Sequence, residues 1–79
     1  MIDDTLEKVK TKVIRAMFWH GGFSSAHEMY AVLMEEVDEL WDIVRQKKES
    51  RNMADLEKEL IQIAAMAVKG IEYIDNFTK

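Results

Sequence analysis

No proline occurs in the 79 residues, and glycine occurs only at positions 21, 22 and 70. Few sequence features narrow the choice of fold so strongly. Proline ends helices and glycine weakens them, so a chain with neither in its long central stretches favours long, uninterrupted helices. The apolar residues agree. Leu6, Val9, Val13 and Met17 recur at helical spacing, predicting a first helix from about residue 3 to 18, with Glu7, Lys8, Lys10 and Lys12 pointing elsewhere. HGGFSS then interrupts the pattern, because paired glycines favour a turn.

The second helix has a defined start. Ser25-Ala-His-Glu28 has the form of a capping box, and Phe23 and Met29 stand where a hydrophobic staple would lie. The helix is expected to run to about Lys47. QKKESRN, residues 46–52, has no apolar period and reads as a connection. A third helix follows from about Met53 to Phe77, with Leu56, Leu60, Ile63, Ala64, Ala67, Ile71 and Ile74 as its stripe, and Gly70 within it marks either close packing or a modest local weakness. The short connection makes helices two and three an antiparallel hairpin. The fold class is therefore all-α, in a single domain spanning residues 1–79. A core this small is marginal alone, so self-association is expected.

Charge excludes several functions. The net charge is −4 and there is no basic run, which argues against nucleic acid as a partner. No apolar run approaches the roughly 20 residues needed to span a bilayer, so no membrane partner is expected. MIDDTLEKVK is too acidic for a secretory signal, and a cytoplasmic location is the expectation. Cysteine is absent, which removes thiolate metal sites and disulfides.

VLMEEVDELW, residues 32–41, carries the chemistry. At 100° per residue, Glu36 shares a stripe with Met29, Leu33 and Leu40. The wider arc holds Val32, Val37, Ile43 and Val44, with Glu39 at its edge. Glu35, Asp38 and Asp42 occupy the opposite side. Helix three repeats the arrangement: Glu59 falls between Ile63, Met66 and Gly70, and Gln62 follows at the edge of the arc. In a hairpin, Glu36-x-x-Glu39 and Glu59-x-x-Gln62 can face one another. Buried carboxylates that share a cleft repel, and a hard cation such as Mg²⁺ relieves them. A single glutamate on a stripe more often reaches water at the rim; two inward pairs on consecutive helices favour the metal. No Glu-x-x-His of the di-iron type occurs. His27 is expected in the cap or a buried hydrogen bond. The wheel puts Lys69 on the polar side of helix three.

These motifs resemble those of the MazG-like, all-α nucleoside triphosphate pyrophosphohydrolases. EEVDELWDIV is similar to the first motif, with Glu36 and Glu39 matching its two acidic ligands. EKELIQIAAMAV is similar to the second, with Glu59 matching its glutamate and Gln62 its aspartate. SSAHEMYAVLMEEVDELWDIV resembles a short MazG-related subgroup that carries Glu-x-x-Gln in the second motif, and the likeness covers roughly residues 24–75. The resemblance implies Mg²⁺ (or Mn²⁺) held by Glu36, Glu39, Glu59 and Gln62. It implies hydrolysis of a nucleoside triphosphate to monophosphate and pyrophosphate, with Glu36, Glu39 and Glu59 catalytic. It also implies a homodimer or homotetramer whose chains complete a helical bundle. Lys47, Lys48 and Arg51 are candidates to reach phosphates from the connection, and Trp41 or Trp19 to stack on a base, although a core or interface role is the commoner use of tryptophan. Gln62 departs from the motif by losing a charge, so a non-catalytic nucleotide-binding or assembly module is the alternative.

Overall fold

The computed structural model describes residues 1–78. Three helices carry the fold: α1 Ile2–His20, α2 Ala26–Val44 and α3 Met53–Glu72. Short 3₁₀ turns follow α2 and α3, at Lys48–Ser50 and Ile74–Thr78. No strand occurs among the described residues, and none of their helices is long and apolar enough to cross a membrane.

Each helix end has a local cause. α1 extends to His20 and stops at Gly21, whose φ of 68° is a conformation that side chains resist. At the start of α2 the Ser25 hydroxyl accepts from Glu28 N at 3.1 Å. The reciprocal half of the capping box is absent. Glu28 instead accepts from the Ser24 hydroxyl at 2.7 Å. His27 is exposed and takes no part in this cap, contrary to the sequence expectation. α2 ends at Val44, not near Lys47. Arg51 turns its guanidinium back and donates to the Val44 carbonyl from Nε and Nη2, at 3.0 and 2.7 Å. That capping satisfies an orphan carbonyl at the helix end. Asn52 then caps α3 by accepting from Ala54 N and Asp55 N. α3 stops at Glu72, five residues before the expected Phe77, because the last turn tightens from α to 3₁₀.

α3 is the shared element. It packs on α1 along one side and on α2 along the other, while α1 and α2 scarcely meet. Met29 lies against Gly70, whereas Glu36 and Glu39 lie against Glu59, so α2 and α3 run antiparallel. A Cβ on Gly70 would stand 3.2 Å from Met29 Cγ, so the glycine permits this close approach. The molecule is elongated, 46 × 27 × 20 Å.

The core is small: Val9, Val13, Phe23, Ala65 and Met66, with Ala16, Met17, Met29, Val32, Leu33, Ile61, Ala64 and Phe77 packed around it. α2 behaves as its wheel requires. Its seven arc residues are half-buried, and Glu35, Asp38 and Asp42 are exposed. α3 departs from expectation. Leu60, Ala67, Ile71 and Ile74 face outward, and the buried line is Ala65, Met66, Lys69 and Gly70. Leu6 of α1 is exposed as well. Both tryptophans are exposed, so neither fills the core of this chain.

Lys69, placed on the polar side by the wheel, is buried with 4% exposure. Its ammonium sits 4.3 Å from the centre of the Phe23 ring. Burial pulls its pKa below the ordinary lysine value, and the Glu28 carboxylate partly opposes that shift. The ring face compensates some of the lost hydration. Asn76 Nδ2 donates to the Phe23 carbonyl at 3.1 Å, tying the C-terminal turn to the same loop.

Gly22 is the tightest point of that loop. A Cβ there would clash with the Tyr73 ring. A ring held in a packed site moves only at a cost, so Gly22→Ala is expected to destabilise the chain by about 1–3 kcal/mol. Gly21→Ala strains φ without a clash and is expected to cost roughly 1 kcal/mol. Urea unfolding of the two variants checks the order; Gly22→Ala at wild-type stability would contradict the packing described.

Candidate metal centre

The hairpin brings the two acidic pairs together. Glu36 and Glu39 are one helical turn apart on α2, and Glu59 projects from α3 across the seam. One carboxylate oxygen from each of Glu36, Glu39 and Glu59 lies within 4.8 Å of the others. Glu36 and Glu59 are half-buried and Glu39 is exposed, so the cluster opens to solvent at one edge. Gln62 lines the same cavity, which has a volume of about 360 Å³.

Two oxygens in this cleft are buried and make no hydrogen bond: Glu59 Oε1 and Gln62 Oε1. Buried acceptors without donors are uncommon because each forfeits its hydration. Glu59 feels the burden most. Its pKa is raised from 4.5 to about 8, first by burial and then by the Glu36 and Glu39 carboxylates. All the donors facing the cluster are oxygens, the set preferred by hard divalent cations. Mg²⁺–oxygen bonds of about 2.0–2.1 Å place opposite ligands roughly 4.2 Å apart. Adjacent ligands stand about 2.9 Å apart, so the three carboxylates, now within 4.8 Å of one another, would draw closer to share one ion. The residues therefore fit a hard cation.

The remaining expected site residues lie elsewhere. Lys47, Lys48 and Trp41 are exposed and do not line the cavity. Arg51 is occupied at the end of α2. In their place the cavity wall contains Lys12, Asp55, Lys58 and Ile43. Asp55, Glu59 and Gln62 are spaced i, i+4 and i+7, so one face of α3 presents all three. That signal was present in the sequence. Lys12 carries no such signal, because it reaches the cleft from α1 and its position depends on how α1 lies across α3.

No family model matches the chain, and no curated protein or solved structure matches it either.

The electrostatics give a pH prediction. Below pH 4.5 Glu59 carries its proton whether the chain is folded or unfolded, and its contribution to stability is fully present. As pH rises toward about 8 the unfolded chain releases that proton and the folded chain holds it, so the contribution is lost. In metal-free buffer the Tm of the wild type, relative to that of Glu59→Gln, is expected to fall between pH 4.5 and 8 and then level off. Thermal melts across that range check it; parallel profiles for the two proteins would remove the burial argument.

Proposed function

We propose that the cleft binds Mg²⁺, or Mn²⁺ in its place, and that the protein is a MazG-like nucleoside triphosphate pyrophosphohydrolase. One observation carries the reading: carboxylate oxygens of Glu36, Glu39 and Glu59 converge within 4.8 Å from two helices, beside the buried, unpaired Oε1 of Gln62. The motif resemblance around these same residues supplies the reaction class.

Glu36, Glu39 and Glu59 would hold the cation, with the Gln62 amide oxygen as a weaker, neutral fourth ligand. When bound, the cation supplies charge neutralisation for the triphosphate and lowers the pKa of a water. The α2–α3 seam would set the direction from which the α-phosphate is met, and such positioning is a principal part of catalysis in phosphoryl transfer. Glu39, the exposed member of the three, would accept the water proton on the carboxylate oxygen that does not hold the cation. A bond forms between the water oxygen and the α-phosphorus. The bond from that phosphorus to the bridging oxygen breaks, and pyrophosphate leaves with its electron pair.

Self-association belongs to the same proposal. Leu60, Ala67 and Ile71 repeat along the outer face of α3 at helical spacing, Ile74 follows in the 3₁₀ turn, and all four are exposed. An uncovered apolar row of this kind on so small a core favours a homodimer or homotetramer. The neutral Gln62 and this row also support the second reading, an assembly or nucleotide-binding module without turnover.

Pyrophosphate release from a panel of nucleoside triphosphates separates the two. Release is expected to require Mg²⁺ and to fall on the order of 10²-fold or more in Glu36→Gln and in Glu59→Gln. Folded, Mg²⁺-saturated protein that releases no pyrophosphate from any member of the panel would favour the non-catalytic module.

A further inference from the structure

α1 contributes a charged surface that the acidic cluster does not explain. Lys12, Arg15, Ala16 and Trp19 lie at i, i+3, i+4 and i+7, on one face of the helix. Together with His20 and Gln62 they line a recess of about 230 Å³. Two permanent cations and a histidine stand in its wall, and no carboxylate does. Lys12 and Gln62 also line the acidic cleft, so the two cavities adjoin through these side chains.

Neither cation is spoken for. Lys12 is half-buried, yet among the described residues neither it nor Arg15 forms an ion pair or a side-chain hydrogen bond. The nearby cations that are paired serve other ends: Lys8 meets Glu57 at 3.4 Å, and Arg45 meets Asp42 at 3.2 Å. A neighbouring recess that also reaches Lys12 and Arg15 has Asp4 and Glu7 in its wall, but neither acid forms an ion pair with them. The Trp19–Gln62 recess has no acid in its wall. An anion is the ligand its chemistry fits, and it must lie next to a cluster of three carboxylates. A phosphate chain meets both conditions when one end is held by a cation in the acidic cleft and the other continues past Lys12.

We infer that the Lys12–Arg15 face of α1 is a polyphosphate-binding site, continuous with the acidic cleft, that holds the phosphoryl groups lying beyond the cluster. The inference rests on the pyrophosphohydrolase reading for the identity of the chain, a nucleoside triphosphate. Lys12 stands at the junction of the two cavities and neutralises the phosphoryl group that leaves the cleft. The Arg15 guanidinium offers a planar fork suited to two phosphate oxygens of the next group. The connection lysines, Lys47 and Lys48, are excluded from this role because neither cavity contains them.

Binding of inorganic tripolyphosphate to the full chain tests this without turnover. Calorimetry in EDTA, at low ionic strength, compares wild type with Lys12→Gln, Arg15→Gln, Lys47→Gln and Glu36→Gln, with thermal melts confirming that each is folded. Lys12→Gln and Arg15→Gln are each expected to weaken binding about tenfold. Lys47→Gln is expected to leave it unchanged, and wild-type affinity is expected to fall steeply with added salt. Glu36→Gln is expected to retain metal-free binding and to lose the increase that Mg²⁺ brings to wild type. Parallel titrations with a nucleoside triphosphate and with the free nucleoside distinguish the phosphate chain from the base as the bound part. Absence of tripolyphosphate binding by the wild type, or wild-type affinity in either Lys12→Gln or Arg15→Gln, overturns the inference even where nucleotides are hydrolysed. Binding that depends on both residues in a protein without turnover upholds the site and overturns the hydrolase reading instead.

Discussion

Three carboxylates crowded on the α2–α3 seam are the constraint around which this structure is arranged. Glu36, Glu39 and Glu59 bring oxygens within 4.8 Å of one another. Like charges at that separation, partly withdrawn from water, oppose the packing of the two helices that carry them. The hairpin nevertheless closes, because Met29 settles against Gly70 at its other end and half-buried Val32 and Leu33 pack on the core between. The strain is concentrated on Glu59, whose proton is held up to about pH 8. A seam that gathers like charge at one point and closes elsewhere is the observation on which the proposed cation site rests.

The same seam explains why α3 is the central element. Its buried line consists of small or unusual residues, Ala65, Met66, Lys69 and Gly70, which allow two helices to approach it from different sides. Its larger aliphatic residues, Leu60, Ile71 and Ile74, are left outside. Burying small residues costs little side-chain entropy but contributes little apolar area. Only five hydrophobic residues are buried, against thirteen large ones exposed among the described residues. This imbalance is the physical ground for including self-association in the proposed function.

Much of the arrangement was legible in the sequence. The three helices, the Ser25 cap and the sorting of α2's acids followed from spacing alone, because α2 packs on one side only and its apolar arc coincides with its buried face. The pairing of Glu36 and Glu39 with Glu59 followed from the short connection. α3 defeated the same reasoning. A helix with two neighbours and an uncovered third face has more apolar residues than it buries, so hydrophobicity no longer marks the inward side. Lys69 shows the reverse error. A lysine was read as solvent-facing, although Phe23 supplies a ring face that tolerates its burial. Arg51 and Lys12 exchanged expected places for a reason of range. Arg51 is consumed by a helix end seven residues back, a local need that a charge count does not reveal. Lys12 reaches the cleft through the packing of α1 on α3, which no spacing within either helix encodes.

The central claim is that Glu36, Glu39, Glu59 and Gln62 form one cation site. Anomalous diffraction from crystals grown with Mn²⁺ tests it most directly. The account predicts a peak in the α2–α3 cleft, bonded by one oxygen each from Glu36, Glu39 and Glu59, with Gln62 Oε1 turned toward it. A cleft without that peak, its carboxylates spread into separate solvated positions, would contradict it.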